Sequence, residues 1–261
     1  MKTRIGLYPS MIALQTLFNK EILRFMRIWS QTLLPPAITM TLYFIIFGKF
    51  IGSQIKQIDG FTYIAYIVPG LIMMSIMTNA YANTASSFFL TKFNKSIEEM
   101  LVSPMPNVIT LLGFMFGGTI RGIFVGLIVT LIAFFFTPIP FYHPFIVFLM
   151  AILASMVFSL GGLINGIYAK RFDDISFIPT FVLTPLTYLG GVFYSIDQLP
   201  PLWQTISLFN PILIIVDTFR YGLLGRSDLN IYYGFFLIVL LFMVLFFWAL
   251  RLLDKGIGIK S

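Results

Sequence analysis

The chain has 261 residues, 58% hydrophobic and only 10% charged, with 17 Lys and Arg against 10 Asp and Glu. A soluble domain carries about 25% charged residues, so this composition excludes an ordinary soluble globule and reads as an integral membrane protein. Cysteine is absent, which excludes disulfides and thiolate metal sites; the net charge of +7 reads as cations gathered on one side of a membrane, with no nucleic acid as partner.

The chain opens MKTRIGLYPSMIALQ, a basic start with no apolar core before a small-residue cleavage site, so no cleaved signal peptide is expected. No long polar block reads as a separate soluble domain. Residues 1–31 form a first unit. Within it Met11, Leu14, Phe18, Ile22, Phe25 and Trp29 recur at helical spacing, with Thr16, Lys20, Arg24, Arg27 and Gln31 opposite them. This predicts an amphipathic helix in the cytoplasmic interface, its cations near anionic membrane lipids; the plainer reading is a basic flank of the first span.

Six apolar runs follow, at 32–50, 61–89, 107–136, 145–168, 175–195 and 229–250. Each is near the roughly 20 residues a helix needs to cross a bilayer. The expected fold is therefore an all-α polytopic membrane protein, with a transmembrane domain over 32–253 and a cytoplasmic tail over 254–261. Pro35-Pro36 stand near the start of the first span, where proline is tolerated, and Pro69-Gly70 predict a kink in the second.

Charge sets the orientation. Lys2, Arg4, Lys20, Arg24, Arg27, Lys92, Lys95, Lys170, Arg171, Arg251, Lys255 and Lys260 fall on one side, and Lys49, Lys56, Arg220 and Arg226 on the other. Twelve against four predicts that both termini are cytoplasmic. Arg121, inside the third span, completes the count of 17.

Two cytoplasmic turns resemble each other. One runs Lys92-Phe93-Asn94-Lys95-Ser96-Ile97-Glu98-Glu99-Met100 and ends in Ser103-Pro104-Met105-Pro106; the other is Lys170-Arg171-Phe172-Asp173-Asp174-Ile175. Each is a base, a Phe and an acidic pair between two spans, a weak hint of a repeated helix-pair unit. Ser96 with Glu99 three residues on predicts a capping box that starts a short helix, which the Ser-Pro-Met-Pro run would stop. Such a helix is either a lever for a soluble partner or a solvated loop. Glycines four apart follow in the third span: Gly113 and Gly117, then Gly118, Gly122 and Gly126; Gly162 and Gly166 repeat the spacing in the fourth. This spacing lets helix backbones approach closely. Intramembrane charge marks Arg121 as functional, or as paired with a neighbouring helix.

Between the last two spans, Gly190 to Ser227 is apolar enough to enter a bilayer but is interrupted at Pro200-Pro201 and at Asn210-Pro211. The pieces between the breaks, about 8 to 14 residues each, suit a re-entrant helix pair on the outer side. The segment either caps one end of a passage or lies on the surface as a loop; Asp217, Arg220 and Arg226 stand in its otherwise apolar body.

Several chemistries have no residues to carry them. No GxxxxGK[ST] loop is present for holding ATP, and a single His143 without cysteine cannot build a typical zinc site or an intramembrane Ser–His pair. No catalytic, cofactor or metal residues are expected, and the chain is not expected to be an enzyme. None of the six spans contains Asp or Glu, the usual relays of ion-driven carriers. This favours a pore driven from outside over an autonomous channel or ion-coupled carrier, or a membrane scaffold.

The run RFDDISFIPTFVLTPLTYLGGVFYSIDQLPPLWQTISLFNPILIIVDTFRYGLLG, Arg171 to Gly225, closely resembles the permease subunit of type-2 ABC exporters, which include drug-resistance, nodulation-factor and polysaccharide export permeases. LGGVFYS, LP, NPI and FRYGLLG occur in that order, and the likeness extends over essentially the whole chain, nearest to the short bacterial inner-membrane permeases. The resemblance implies that two identical permeases form a pathway, each with one cytoplasmic ABC ATPase docked beneath it, with ATP and magnesium held by that partner. It would make Lys92, Phe93, Lys95, Ile97, Glu98, Glu99 and Met100 the main coupling contact and Arg171, Asp173 and Asp174 a second one. Asn210, Pro211, Asp217 and Arg220 would belong to the outer re-entrant gate. An amphipathic or hydrophobic substrate, a lipid, a lipid-linked saccharide or a drug, suits the aromatic spans; a departure from the polysaccharide members is that no aromatic belt stands out as a sugar track.

Overall fold

A computed structural model describes residues 6–258 except Lys56 and Asp59, and does not describe the side chains of Leu7 and Leu101. Lys2, Arg4, Lys56 and Lys260 of the charge count, and residues 259–261 of the expected tail, lie outside the described residues. Among the described residues every regular element is a helix, apart from one isolated bridge between Ile58 and Phe61. In chain order they are α1 (Leu7–Arg27), α2 (Trp29–Tyr43, continued by wider π-type turns over Phe44–Ile51), α3 (Tyr63–Phe93), α4 (Ser96–Val102), α5 (Asn107–Phe134), α6 (Pro144–Tyr168), α7 (Phe172–Ile178), α8 (Thr184–Tyr188), α9 (Pro201–Leu208), α10 (Pro211–Leu224) and α11 (Ile231–Lys255). The molecule is an all-α polytopic membrane protein. Five of its helices are long and apolar enough to cross a bilayer, or up to six if the bent pair α9–α10 counts as one.

The helix ends follow local chemistry. Ile28 leaves helical geometry at φ −113 and ψ 36 and separates α1 from α2. The first span therefore starts at Trp29, with Pro35 and Pro36 inside the helix. The fifth expected span, 175–195, differs in its helical bounds. Its helical turns start at Phe172, pass through a π-type stretch over Pro179–Leu183 and stop at Tyr188, pieces of seven, five and five residues. Pro179 and Pro185 supply no N–H to the ladder, and the chain then turns through Gly191 at φ +64. The sixth span runs past its expected end to Lys255, where Gly256 closes it at φ +66.

The core is built around α3, whose hydrophobic window is 72% buried. Two glycine surfaces grip it. On α5, Gly118, Gly122 and Gly126 lie against Thr84, Ala80 and Ile76; a Cβ at Gly122 would come within 2.9 Å of both the Ala80 Cβ and the Ile76 carbonyl oxygen. On α6, Gly162 meets the Tyr81 carbonyl and Gly166 the Ala85 carbonyl. Between lipid-soluble helices there is no hydrophobic drive to associate, so this backbone approach supplies the dispersion contact that holds them. A polar node fixes the three-helix junction. The Thr84 and Ser159 hydroxyls are 2.7 Å apart, and Ser159 Oγ donates to the Met115 carbonyl at 2.9 Å.

The other glycine row of α5 serves α1. Gly113 receives Leu17 and Gly117 receives Glu21, and the base of this contact is the small cluster of Leu17, Met105 and Ile109. Thus α1 tracks the first half of α5, and its inward face is Leu17, Glu21 and Phe25. The apolar stripe read from the sequence is divided between that face, where Phe25 is buried, and an exposed side carrying Met11 and Trp29.

Because a Cβ at Gly118 would collide with Thr84 Oγ1 and Ser159 Oγ, Gly118→Val is expected to cost about 3 kcal/mol. Gly161→Ala, whose Cβ would meet only the Tyr81 ring at 3.4 Å, should leave stability level or slightly higher. Thermal unfolding of the two variants in one detergent checks this: the first midpoint falls by many degrees and the second does not.

Candidate functional site

At one end of the helix bundle, α3 finishes at Phe93 and the chain reverses through Lys95, which takes the left-handed conformation at φ 59. Lys95 is the N-cap of α4, without a side-chain cap bond; the expected capping box at Ser96 and Glu99 does not form. Ser96 falls in the first turn instead, and its hydroxyl donates to the Thr91 carbonyl at 3.1 Å. The end of α3 is so near that a carbonyl left open by that helix captures the hydroxyl. Glu98 and Glu99 remain in the first turn of α4, exposed, where the helix dipole favours anions. At the far end of α4, Ser103 Oγ donates to the Met100 carbonyl and accepts from the Met105 N–H before α5 begins.

Two residues of the expected coupling set act inward. Ile97 is 1% exposed and sits in a second core cluster with Phe88, Leu111, Phe114, Leu252 and Leu253, so it anchors α4 and is not available to a partner. Lys92 donates through Nζ to the carbonyls of Ile167 and Ala169, both at 2.7 Å, closing the C-terminus of α6. These bonds bring the two similar turns together. Phe172 packs on Phe89 and Phe93 with ring centroids 4.9 and 5.1 Å apart. The Asp174 carboxylate accepts from the N–H groups of Lys170 at 2.8 Å and Arg171 at 2.9 Å, capping α7; these donors hold its carboxyl below the usual range. Phe93, Lys95, Glu98, Glu99, Arg171 and Asp173 are all exposed, Met100 half-buried. The two turns thus form one face, tied from beneath by Lys92 and three phenylalanine rings.

At the opposite end, Asn210 caps α10: its Oδ1 accepts from the Ile212 N–H at 3.0 Å and its Nδ2 donates to the Leu186 carbonyl at 2.6 Å. Pro211 takes the first helical position, where no N–H is needed. The helix meets α9 at 87°. Every residue from Ile212 to Arg220 is buried, which excludes a surface loop for α10; α9, with Leu202 and Trp203 exposed, lies on the surface. Asp217 and Arg220 form a buried ion pair with N–O 3.7 Å. Asp217 also accepts from Ser227 Oγ and from the N–H groups of Asp228 and Leu229, so it gathers the turn between α10 and α11. Arg220 lies 4.1 Å over the Tyr66 ring and donates to the Gly191 carbonyl, so it pins the turn after α8 and the start of α3. His143, ahead of α6, is exposed and stacks on Tyr221.

Between the two ends lies a polar cluster. Arg121 donates to the side-chain oxygens of Asn83 at 3.3 Å and Asn79 at 3.4 Å, so it bonds the neighbouring helix. Asn83 also accepts from Arg24 of α1 through both Oδ1 and its carbonyl. Arg24 in turn pairs with Glu21, whose carboxylate is fully buried and accepts from Ser87 Oγ at 2.7 Å. Glu21, Asn79, Asn83 and Ser87 were not singled out from the sequence; the signal was there in Asn79, Asn83 and Ser87, four apart within an apolar helix. Among the described residues no group of His, Cys, Asp or Glu could hold a metal ion.

A profile of the family described as ABC-2 type transporter matches residues 12–224, from α1 to the last residue of α10. The chain is 53% identical to the inner membrane transport permease YadH of Escherichia coli strain K12 over 250 residues, 96% of this chain and 98% of that one. It is 25% identical over 193 residues to nodulation protein J of Rhizobium leguminosarum bv. viciae, covering 70% and 71% of the two chains. Nodulation protein J of Neorhizobium galegae is 22% identical over 246 residues, 91% of each.

The Asp217–Arg220 ion pair is expected to be energetically coupled, because removing one partner leaves the other charge buried. Asp217→Ala is expected to cost about 3–5 kcal/mol. The double variant Asp217→Ala/Arg220→Met should cost less than Asp217→Ala alone. A thermal-unfolding double-mutant cycle in detergent measures the coupling; strict additivity would mean that the pair carries none.

Proposed function

The chain belongs to the ABC-2 type transporter family, and from that premise we propose that it is the transmembrane permease subunit of an ATP-driven exporter in the bacterial inner membrane. Two copies form the pathway, and two copies of a cytoplasmic ABC ATPase, which bind the ATP and magnesium, dock beneath them. The chain itself carries no enzymatic step. The substrate class is amphipathic or hydrophobic: a lipid, a lipid-linked saccharide or a drug. The inner-membrane and transport words in the name of its 53% identical relative support this placement.

The observation that carries the reading is the joined inner face. Both turns lie at the same end of the helix bundle, and α4 is held to it by Ile97 while its two glutamates stay exposed. ATP binding would draw the two ATPases together and push this face. Because Lys92 and the Phe89–Phe93–Phe172 contact bind the turns to each other, the push would reach α3, α5, α6 and α7 as one. The face is then cytoplasmic, as are both termini, and the buried α10 stands at the outer end as a gate held by Asp217 and Arg220. Exposed apolar surface on α2 and on α7, including Leu34, Ile38 and Phe177, supports a second copy packing there.

Glu98→Lys/Glu99→Lys leaves the buried anchor Ile97 in place and reverses the charge offered to the ATPase. Co-purification with the ATPase, and ATP hydrolysis by the assembled complex, should both fall by about tenfold or more, two lost charge pairs each supplying about 1 kcal/mol. Normal assembly and normal coupled hydrolysis in this variant would remove the coupling assignment.

A further inference from the structure

A groove of about 710 Å³ runs between α1 and the last turns of α3, lined by Asn19, Lys20, Arg24 and Arg27 and, on its apolar wall, Leu23 and Leu90. Its size falls within the range of small-molecule sites. The charge in it is one-sided. The only carboxylate on this stretch of α1 is Glu21, and that group is turned away, fully buried against Ser87. Among the described residues neither Lys20 nor Arg27 has a carboxylate partner; the Lys20 ammonium lies 6.0 Å from the centre of the Phe114 ring.

Arg24 differs from a mobile surface cation. Its contacts to Asn83 Oδ1 at 2.7 Å, to the Asn83 carbonyl at 3.1 Å and to Glu21 at 3.4 Å all use one nitrogen, Nη2. The Nε has no partner but is itself buried, so the donor left toward the groove is Nη1, which makes none of these contacts. The buried cluster therefore fixes the guanidinium and leaves Nη1 unspent, with Lys20 and Arg27, neither facing a carboxylate, within one turn of helix on either side. Guanidinium groups with unspent donors match phosphate oxygens geometrically, and flanking cations add field. The apolar wall suits the glycerol and first methylenes of a lipid: Leu23 is 64% exposed, and Leu90 is also exposed.

We propose that this groove binds a phosphate group, with Arg24 as the fixed donor, Lys20 and Arg27 as flanking charges, and the apolar wall holding the rest of an amphiphile. The inference stands apart from the transport reading, since the ATPase and the substrate pathway have no part in it.

The test is native mass spectrometry of the purified, delipidated full chain titrated with phosphatidylglycerol or with zwitterionic phosphatidylcholine. Phosphatidylglycerol should bind at least about tenfold more tightly. Lys20→Gln/Arg27→Gln spares Arg24 and the buried cluster, and should weaken phosphatidylglycerol binding about tenfold or more, at roughly a fivefold loss per cation removed near a membrane surface. Arg251→Gln/Lys255→Gln, which removes two exposed cations from the end of α11, should change it less than twofold. Glycerol 3-phosphate added at millimolar concentration separates two sources of the ligand: displacement supports a site that takes the head group alone, and no displacement supports one that also needs the chains. Equal binding of the two lipids, an unchanged Lys20→Gln/Arg27→Gln variant, or an equal loss in the α11 control would overturn the proposal.

Discussion

Backbone contact on two sides of α3 is the constraint from which the remaining structure hangs. Lipid tails are as apolar as leucine, so helices in a bilayer gain little by hiding side chains from it. What they gain is close approach, and approach needs the missing Cβ of Gly118, Gly122 and Gly126 on one side and of Gly162 and Gly166 on the other. The Thr84–Ser159 bond then sets the register of all three helices at one point. The result is a tightly packed block of α3, α5 and α6. The turns at Lys92–Pro106 and Lys170–Asp174 continue its helices at one end, and α10 wedges against its opposite half, so neither end can shift without moving against this block.

Charge inside an apolar body is costly unless it is partnered, and the chain partners it by linking segments far apart in sequence. Asp217 and Arg220 tie α10 to the Ser227–Leu229 turn, to Gly191 and to Tyr66. The Glu21–Arg24–Asn83–Arg121 series ties α1 to α3 and α5. In both cases the polar atoms add a fixed register to a helix that packing already holds. The face formed by α4 and the start of α7 works by a different device, an ammonium on two open carbonyls and three packed rings, which leaves its outward side chains exposed.

Much of this was legible in the sequence, because it depends on residue type at fixed spacing. Glycines four apart can mark only a close helix face or waste, and Asn210-Pro211 can only end one helix and begin another. The failures have physical causes. Ser96 and Glu99 satisfy the local rule for a capping box, but the rule does not know that α3 ends one turn earlier and offers Thr91 its own claim on the hydroxyl. The stripe on α1 has apolar residues enough for two faces, so periodicity alone could not choose between them; the glycines that select Leu17 and Glu21 are almost a hundred residues away. Hydropathy carried the fifth span through Pro179 and Pro185, where the chain runs out of helix by Tyr188. The meeting of Phe93 with Phe172 is purely tertiary, and the likeness of the two turns hinted at a repeat without hinting at contact.

On the function proposed above, this polypeptide is a conduit driven by a nucleotide-hydrolysing partner at the face formed by α4 and α7. The most direct measurement reconstitutes the purified chain in liposomes, alone and together with its ABC ATPase, and follows movement of a fluorescent phospholipid between leaflets as a first amphipathic cargo. The account predicts movement only when the ATPase and hydrolysable ATP are both present, and none with the chain alone. Equal, nucleotide-independent movement by the chain alone would contradict it.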